Sequence, residues 1–267
     1  MKPLRISLIV PFSLMVCTGS YASDTSEPNE WQGDQYHSNS KSQTIDARSL
    51  IQSLPTGSIK TIIDLGCGPG NSMQVLREHY PEAHITGVDP ESTMIRKARQ
   101  LFANDHQVTL LQDSAFSFHS GQPADLLFAG YLMHWIPRSE MLLALENIGR
   151  NLKQYGKLAL IMSPTKERLP FQDALNKLVI QHPYAKELKD FRQTQTFYEV
   201  DEYRRFLEQA GFFVENIGYH YNVKRYQDRN ELRLWIQQWL PYSKHLARKS
   251  MDLRDRFMKR LVEEFTL

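Results

Sequence analysis

Hydrophobic and polar positions along the chain follow two different periods. Short apolar runs such as 59–64 and 124–130 have the length and β-branched content of buried strands, and amphipathic stretches with a helical period follow them. Regular alternation of strand and helix predicts parallel strands joined by right-handed helical crossovers. The predicted strands are 59–64, 84–89, 107–112, 124–130 and 157–163, and the predicted helices between and before them are 44–53, 72–79, 90–103 and 138–152.

The alternation ends after residue 163. Residues 164–199 hold helical stretches without an intervening strand, so they are predicted to form an insertion. Gly218 separates two strand-like runs and would join them as a tight hairpin, and Pro241 separates two C-terminal helices. The predicted elements of this part are a helix at 200–209, strands at 212–217 and 219–226, and helices at 229–240 and 243–265.

The N-terminus has a different character. Lys2 and Arg5 precede an apolar run at 6–16, and small and polar residues then lead to Ala22. This is the arrangement of a secretory signal cleaved after Ala22, and its apolar run is too short to span a bilayer. The pattern predicts export to the periplasm or the medium, with no stable membrane span after cleavage; a signal that does not function would leave the protein in the cytoplasm. The predicted organisation is a signal at 1–22, a polar linker at 23–35 and one domain at 36–267.

Composition adds little about partners. The 267 residues are 41% hydrophobic and 23% charged, with a net charge of +2, as expected of a chain with an ordinary core. Basic residues near the C-terminus, including Lys244 and Arg248, alternate with acids and are predicted to form a solvated helix face rather than a nucleic-acid surface. Cys67 is the one cysteine that remains after cleavage, so no internal disulfide is expected.

The most specific motif is the glycine-rich turn after the first predicted strand. Gly66-x-Gly68-x-Gly70 follows an apolar run, and a helix begins directly after it. Glycines let the backbone turn sharply and approach a ligand closely, and the helix N-terminus points its N–H groups at the same place. Asp89 ends the next strand, at a spacing that suits a contact with ribose hydroxyls. Together they predict a site for an adenosine-type cofactor.

The spacing of the glycines indicates which kind of cofactor the turn binds. A dinucleotide fingerprint is Gly-x-Gly-x-x-Gly, whereas this turn places Gly70 one residue earlier, and Asp64 stands two residues before the first glycine. A carboxylate at that position repels a pyrophosphate and attracts a cation. A ligand that carries an ammonium, a sulfonium and a ribose fits better.

In these residues the chain resembles the class I S-adenosylmethionine-dependent methyltransferases. The resemblance implies an α/β fold, with a Rossmann-like seven-stranded, mostly parallel sheet, helices on both faces, and a helical lid made of 36–54, 164–199 and 229–265. It implies that Asp64 lies near the methionyl group of S-adenosyl-L-methionine and that Asp89 binds the ribose. The cofactor-binding residues expected on this basis are Tyr36, Gln43, Asp64, Gly66, Cys67, Gly68, Gly70, Asn71, Asp89, Pro90, Met94, Asp113, Ser114 and Gly130.

Two of these residues have an alternative role. Asp113 and Ser114 follow the third predicted strand, where Asp113 could accept a hydrogen bond from an adenine amino group. Both residue types are equally suited to begin a helix as its N-cap.

The segment after the fourth predicted strand is similar to a narrower group. Residues 131–137, Tyr-Leu-Met-His-Trp-Ile-Pro, resemble the corresponding block of the trans-aconitate and juvenile-hormone-acid methyltransferases, and the similarity extends loosely to an arm at 36–43 and a Trp-rich stretch at 232–241. Both groups methylate carboxylates, and a carboxylate with a pKa of about 4 is already ionised at neutral pH and needs no base. The resemblance therefore implies O-methylation of a small carboxylic acid. The residues expected at the substrate are Tyr131, His134, Trp135 and Trp235, with Arg192 or Arg225 to neutralise the acid.

Three roles are open for His134: a general base for a hydroxyl or amine acceptor, a substrate contact, or a structural histidine. The rival interpretation of the whole chain is a protein that binds S-adenosylmethionine or S-adenosylhomocysteine without turnover. No metal is expected, because no cluster of Asp, Asn and His follows the fourth strand. The residues do not define the identity of the substrate, the acceptor atom or the oligomeric state.

Overall fold

The computed structural model describes residues 4–11, 37, 40–57, 59–163, 170–220 and 225–266. Its strands form one sheet in the order β4-β3-β2-β5-β6-β1-β7, and the pairs β1–β6, β1–β7, β2–β3, β2–β5, β3–β4 and β5–β6 are all parallel. The strands are β1 (Leu4–Pro11), β2 (Thr61–Leu65), β3 (His84–Asp89), β4 (Val108–Gln112), β5 (Ala124–Gly130), β6 (Leu152–Ile161) and β7 (Phe212–His220).

The helices alternate with the strands up to β6 and then accumulate beside the sheet. The described α-helices are α1 (Lys41–Ser53), α2 (Asn71–His79), α3 (Ser92–Leu101), α4 (Met141–Arg150), α5 (Pro170–Val179), α6 (Tyr184–Glu187), α7 (Val200–Gln209), α8 (Arg229–Trp239), α9 (Pro241–Lys249) and α10 (Met251–Phe265). None of the helices in these ranges is long and apolar enough to cross a membrane.

The two faces of the sheet are covered by different helices. Because successive side chains of a strand point to opposite faces, Ile62 and Ile63 enter two separate cores. Ile63 packs in the cluster that includes Leu145 of α4, whereas Ile62 packs with Leu50 of α1 and Leu76 of α2. A strand that is apolar on both faces is typical of a parallel sheet with helices on both sides, and this explains the continuous apolar runs of the sequence.

The strand order places β2 at the point where the chain changes direction across the sheet. The chain moves outward from β2 through β3 to β4, then returns to β5 on the other side of β2. Ligands of open α/β sheets bind beyond the carboxyl ends of the strands at such a switch point. The turn after β2 and the segment after β5 are therefore neighbours at the expected ligand position.

A third apolar cluster lies outside the sheet. It joins α5, α8, α9 and α10 through buried residues such as Leu175, Ile236, Leu246 and Phe257. The C-terminal helices thus pack mainly on one another and on α5, and they form a unit beside the carboxyl ends of the strands.

The α/β, Rossmann-like fold with a mostly parallel sheet agrees with the sequence-based prediction, but two local predictions are wrong. The hairpin at Gly218 does not form, since β7 continues through Gly218, which lies opposite Ile9 of β1. The predicted helix at 243–265 is two helices, because the Ser250 hydroxyl accepts a hydrogen bond from the Leu253 N–H and caps the start of α10.

The N-terminal predictions meet the structure only in part. Residues 4–11, inside the predicted signal, form β1 between β6 and β7. The rest of the signal at 12–22 and the linker at 23–35 lie outside the described residues. Cleavage after Ala22 would remove β1 from the sheet, so the two roles of residues 4–11 exclude each other.

Candidate functional site

The glycine turn after β2 is fixed to the end of β3 by its backbone. The N–H groups of Gly66 and Cys67 both donate to the carbonyl of Val88, at 2.7 and 3.0 Å. Gly66 has φ +74° and Gly70 has φ +100°, conformations that residues with a Cβ rarely adopt. A Cβ on Gly70 would lie 2.8 Å from the Phe102 ring, so this position has no room for a side chain.

Asp89 ends β3 and contacts the same turn. Its side chain is 8% exposed, and its two oxygens accept hydrogen bonds from the N–H groups of Gly68 at 3.0 Å and Glu91 at 2.9 Å. Burial raises the pKa of Asp89 to about 6, although the two N–H donors act in the opposite direction. Each carboxylate oxygen can accept a second hydrogen bond, so Asp89 keeps acceptor capacity for a pair of ribose hydroxyls.

Asp64 lies beneath the turn and is fully buried. Its Oδ2 accepts a hydrogen bond from the Ser72 hydroxyl at 2.5 Å, and its Oδ1 is buried without a hydrogen-bond partner in the described part of the chain. Burial raises the pKa of Asp64 to about 7; the Ser72 bond lowers this pKa and the charge of Asp89 raises it. A buried acceptor oxygen without a donor favours a ligand that brings positive charge and N–H groups.

Asn71 provides a second acceptor of this kind. Its side-chain nitrogen donates to the Ser40 hydroxyl at 2.7 Å and to the His37 carbonyl at 3.3 Å, which connects the start of α2 to the segment before α1. Its Oδ1 is buried and has no hydrogen-bond partner among the described residues. These orphaned oxygens and the glycine turn fit the ammonium and ribose of an adenosyl amino acid.

A cavity of about 1000 Å³ opens above the turn. This volume is at the upper end of what small-molecule sites use, and it has room for a cofactor together with a small second ligand. The structure brings together on its wall these residues expected from the sequence: Gln43, Gly66, Cys67, Gly68, Asn71, Asp89, Pro90, Met94, Gly130, Tyr131 and Trp135.

Other expected residues do not line this cavity. Asp64 and Gly70 lie behind the turn, and Tyr36 is outside the described residues. Asp113 donates its N–H to the Asp89 carbonyl at 3.2 Å, and its Oδ1 accepts hydrogen bonds from the Ser114 N–H at 2.7 Å and a nearby serine hydroxyl at 2.6 Å. These bonds hold a turn, and no helix lies among the described residues between β4 and β5, so the N-cap role is wrong for both residues. A contact of Asp113 with adenine stays a prediction.

His134 is buried beside the cavity. It is 3% exposed, does not line the cavity and stacks on Phe197 with ring centroids 6.3 Å apart. Burial lowers the pKa of His134 to about 3, and its carbonyl accepts a hydrogen bond from the Thr196 N–H at 2.6 Å. A neutral histidine that does not line the cavity is poorly placed to act as a base there. Of the three roles left open for His134, its burial and its stacking on Phe197 support the structural one.

Trp235 also lies off the cavity wall. Its indole N–H donates to the side-chain oxygen of Gln43 at 3.1 Å, and its ring meets those of Tyr226 and Trp239. Trp235 therefore orients Gln43, which does line the cavity, instead of facing a ligand there itself.

The sequence-based prediction missed a group of basic residues on the wall. Lys244, His245 and Arg248 of α9 line the cavity. Arg192, one of the two arginines expected to neutralise the acid, lines it as well, whereas Arg225 does not. Burial lowers the pKa of Lys244 to about 7; the charge of Glu91 raises this pKa and that of Arg248 lowers it. The prediction of a solvated helix face is thus wrong for Lys244. The one sequence signal for this basic group is the i, i+1, i+4 spacing of its residues on one helix.

The charges on the wall are mixed. The acids Glu91, Glu140 and Asp190 line the cavity as well as the basic residues. Within the described ranges, no group of three His, Cys, Asp or Glu side chains is placed to hold a metal ion.

Comparison with known proteins places these features in context. Residues 62–156 match the methyltransferase domain family. The chain is 37% identical over 132 residues to the trans-aconitate 2-methyltransferase of Azoarcus sp. (strain BH72), covering 49% of this chain and 50% of that protein. It is 31% identical over 187 residues to the trans-aconitate 2-methyltransferase of Methylobacterium nodulans, covering 70% of each. The chain thus matches between half and 70% of the length of these two relatives.

Solved structures share the fold. Human N-acetylserotonin methyltransferase in complex with S-adenosylmethionine superposes with a TM-score of 0.51 and 21% identity, over 68% of this chain and 51% of that one. A mitomycin 7-O-methyltransferase superposes with a TM-score of 0.51 and 17% identity, over 64% of this chain and 48% of that one. At this identity the likeness concerns the fold alone.

Proposed function

Because this chain belongs to the S-adenosylmethionine-dependent methyltransferases, we propose that it transfers a methyl group from S-adenosylmethionine to a carboxylate of a small organic acid. The cofactor would supply an electrophilic methyl group on a cationic sulfur. The chain's own residues would bind it: Asp89 the ribose and the orphaned oxygen of Asn71 the ammonium, with the charge of Asp64 attracting the ammonium from behind the turn.

The observation that carries the choice of acceptor is the basic group of Arg192, Lys244 and Arg248 on the wall that also contains the glycine turn. A carboxylate arrives ionised, so it needs desolvation and alignment but no proton transfer. The ammonium of Lys244 can compensate the negative charge of the substrate carboxylate after water has left it. The curated relatives are named for trans-aconitate, which is therefore the first acid to test.

The position of His134 weakens the hydroxyl and amine alternatives in which this histidine is the base. Both acceptors must lose a proton, and His134, the histidine considered for this task, is buried away from the cavity with its pKa lowered to about 3. Trp135 remains on the wall to shape the acceptor site.

We further propose that α1, residues 170–199 and helices α8 to α10 act as a lid. Gln43 of α1, Arg192 and Lys244 all reach the cavity from outside the sheet, and they enclose the carboxyl ends of β2, β3 and β5. Closure by such elements would exclude water from the transfer.

The decisive experiment combines binding with turnover. Calorimetry with S-adenosylhomocysteine tests the cofactor site, and mass spectrometry detects methyl esters after incubation with S-adenosylmethionine and a panel of mono-, di- and tricarboxylic acids, phenols and amines. Methyl ester formation with an acid supports the proposal. Tight binding without transfer to any acceptor would favour the non-catalytic interpretation, and transfer confined to phenols or amines would overturn the choice of carboxylate.

The compartment is a separate proposal. The predicted signal supports export. Two observations support the cytoplasm instead: S-adenosylmethionine is made in the cytosol, and β1 forms only if residues 4–11 stay with the domain. The intact mass of the native protein distinguishes the two. A mature N-terminus at Ser23 would establish processing and the loss of β1.

A further inference from the structure

A hydrogen bond that the sequence did not predict joins α1 to the end of β5. The hydroxyl of Tyr131 donates a hydrogen bond to Oδ2 of Asp46, which lies on α1 and is 3% exposed. Gln43, Thr44 and Ala47, neighbours of Asp46 on the same helix, line the cavity. The Tyr131 ring therefore extends along the cavity wall from the sheet to α1.

The backbone fixes Tyr131 at its other end. Its N–H donates to the Ile161 carbonyl at 2.6 Å, and its φ of +59° is unusual for a residue with a side chain. The next residue, Leu132, lies 3.1 Å from the place that a Cβ on Gly66 would occupy. Tyr131 thus stands beside the glycine turn, on the part of the wall that this turn forms.

The hydrogen bond determines what Tyr131 can offer to a ligand. A phenol has one hydrogen, and here Asp46 receives it, so toward the cavity the Tyr131 oxygen can only accept. An acceptor backed by a carboxylate repels the carboxylate of a substrate and attracts positive charge. This argues against Tyr131 as a group that binds the acid.

We propose that Asp46 and Tyr131 select the cationic cofactor over its neutral product. The inference rests on the proposed methyl transfer, in which the S–C bond breaks, the C–O bond forms and the electron pair of the S–C bond stays on sulfur. Sulfur then loses its positive charge, and the attraction of the pair disappears with it. Asp46 is a positioning residue that acts through Tyr131, and the pair favours exchange of product for fresh cofactor.

Ligand binding tests this without turnover. Calorimetry at pH 7.5 would compare S-adenosylmethionine with S-adenosylhomocysteine, and sinefungin serves as a stable ligand with an ammonium in place of the sulfonium. Asp46→Asn keeps an oxygen that can accept from Tyr131 but removes the charge, and Tyr131→Phe removes the phenolic oxygen. We expect both variants to lower the ratio of S-adenosylmethionine to S-adenosylhomocysteine affinity about tenfold, mostly through the cationic ligands.

The matched control is Glu78→Gln. Glu78 lies on α2, pairs with Arg48 of α1 and is off the cavity wall, so the same loss of charge at another partner of α1 should leave the ratio unchanged. Melting curves verify that each variant is folded. An unchanged ratio in Asp46→Asn, or an equal loss of affinity for all three ligands, would overturn the inference and leave the pair a structural role.

The same measurements distinguish a failure of this inference from a failure of the proposed function. Failure of the wild-type protein to bind either adenosyl ligand would overturn the proposed function and this inference together. A wild type that binds both ligands but methylates no acid, with the ratio still lowered in the variants, would overturn only the choice of acceptor.

Discussion

The N–H of Gly68 donates a hydrogen bond to Oδ2 of Asp89 at 3.0 Å, so the turn after β2 and the acid that ends β3 form one unit. The acid is oriented before any ligand arrives, and the ligand does not have to order it. The cost of this arrangement is the burial of Asp89, which raises the pKa of its carboxyl to about 6.

This relationship makes Asp89 the first residue to test. Asp89→Ala removes the acceptors for two ribose hydroxyls and should lower the affinity for S-adenosylhomocysteine about 100-fold, because a hydrogen bond to a charged group contributes about 1.5–3 kcal/mol. Asp89→Asn should lose less. Calorimetry measures both, and Asp201→Ala, an exposed acid of α7, is the control that should bind as the wild type does.

The turn itself is tested by a pair of glycines. Gly66 has φ +74° and Gly211 has φ +86°, so an alanine at either position carries a similar backbone strain of about 1–2 kcal/mol. A Cβ at Gly66 would also lie 3.1 Å from the Leu132 Cβ, whereas nothing lies within 4 Å at Gly211.

We therefore expect both glycine variants to melt at lower temperature, but only Gly66→Ala to lose affinity for S-adenosylhomocysteine. Calorimetry measures the affinity and melting curves measure the stability, so the two effects are separated. An equal affinity in the two variants would show that the shape of the turn does not determine cofactor binding.

The sequence predicts the inner part of the site well, because that part is local. The predicted strand at 84–89 has the observed bounds of β3, and the predicted helix at 72–79 differs from α2 by one residue. Turn, helix and acid follow one another within a single strand-helix-strand unit, in which glycine spacing and hydrophobic period carry the information.

The outer part depends on contacts that no local pattern records. Asp46 and Tyr131 are 85 positions apart in the sequence, and Trp235 lies 192 positions from its partner Gln43. Lys244 stands on a helix with several basic residues, a composition that suits a solvated surface, and only the position of α9 beside the cavity turns this side chain toward it.

His134 should not titrate during catalysis. Burial holds its pKa at about 3, so the neutral ring does not change charge across the working range. His134→Phe keeps an aromatic ring against Phe197 and should leave the pH dependence of kcat unchanged, while His134→Ala should lower the free energy of unfolding by about 3 kcal/mol. Rate profiles and chemical denaturation test the two. A pH-dependent collapse of kcat in His134→Phe would instead identify the histidine as a base.

Lys244 should make binding of the acid depend on pH. With its pKa lowered to about 7, the side chain is charged below that pH and neutral above it, so KM for the acid should rise as pH increases through about 7. Lys244→Met should raise KM at low pH and remove the dependence. Lys249→Met, at the end of α9 and away from the cavity, is the control and should retain the wild-type profile. A dependence that persists in Lys244→Met would have to come from another group.

Asp64 should give the cofactor the opposite dependence. Its ionised carboxylate attracts the cationic ammonium from behind the glycine turn, so affinity for S-adenosylhomocysteine should rise with pH through about 7 and then level off. Since the folded pKa of Asp64 is raised, its contribution to the stability of the ligand-free protein is fully present below the usual pKa of 3.8 and is lost as pH rises through about 7.

Ser72→Ala removes a hydrogen bond that lowers the pKa of Asp64, so the rise in affinity should move to higher pH. Ser53→Ala, which removes a hydroxyl bonded to the Leu50 carbonyl on α1, should leave the midpoint unchanged. Calorimetry across this range measures the midpoint for each variant. A midpoint that stays in place in Ser72→Ala would mean that a group other than Asp64 controls cofactor binding, because the hydroxyl acts directly on the Asp64 carboxylate.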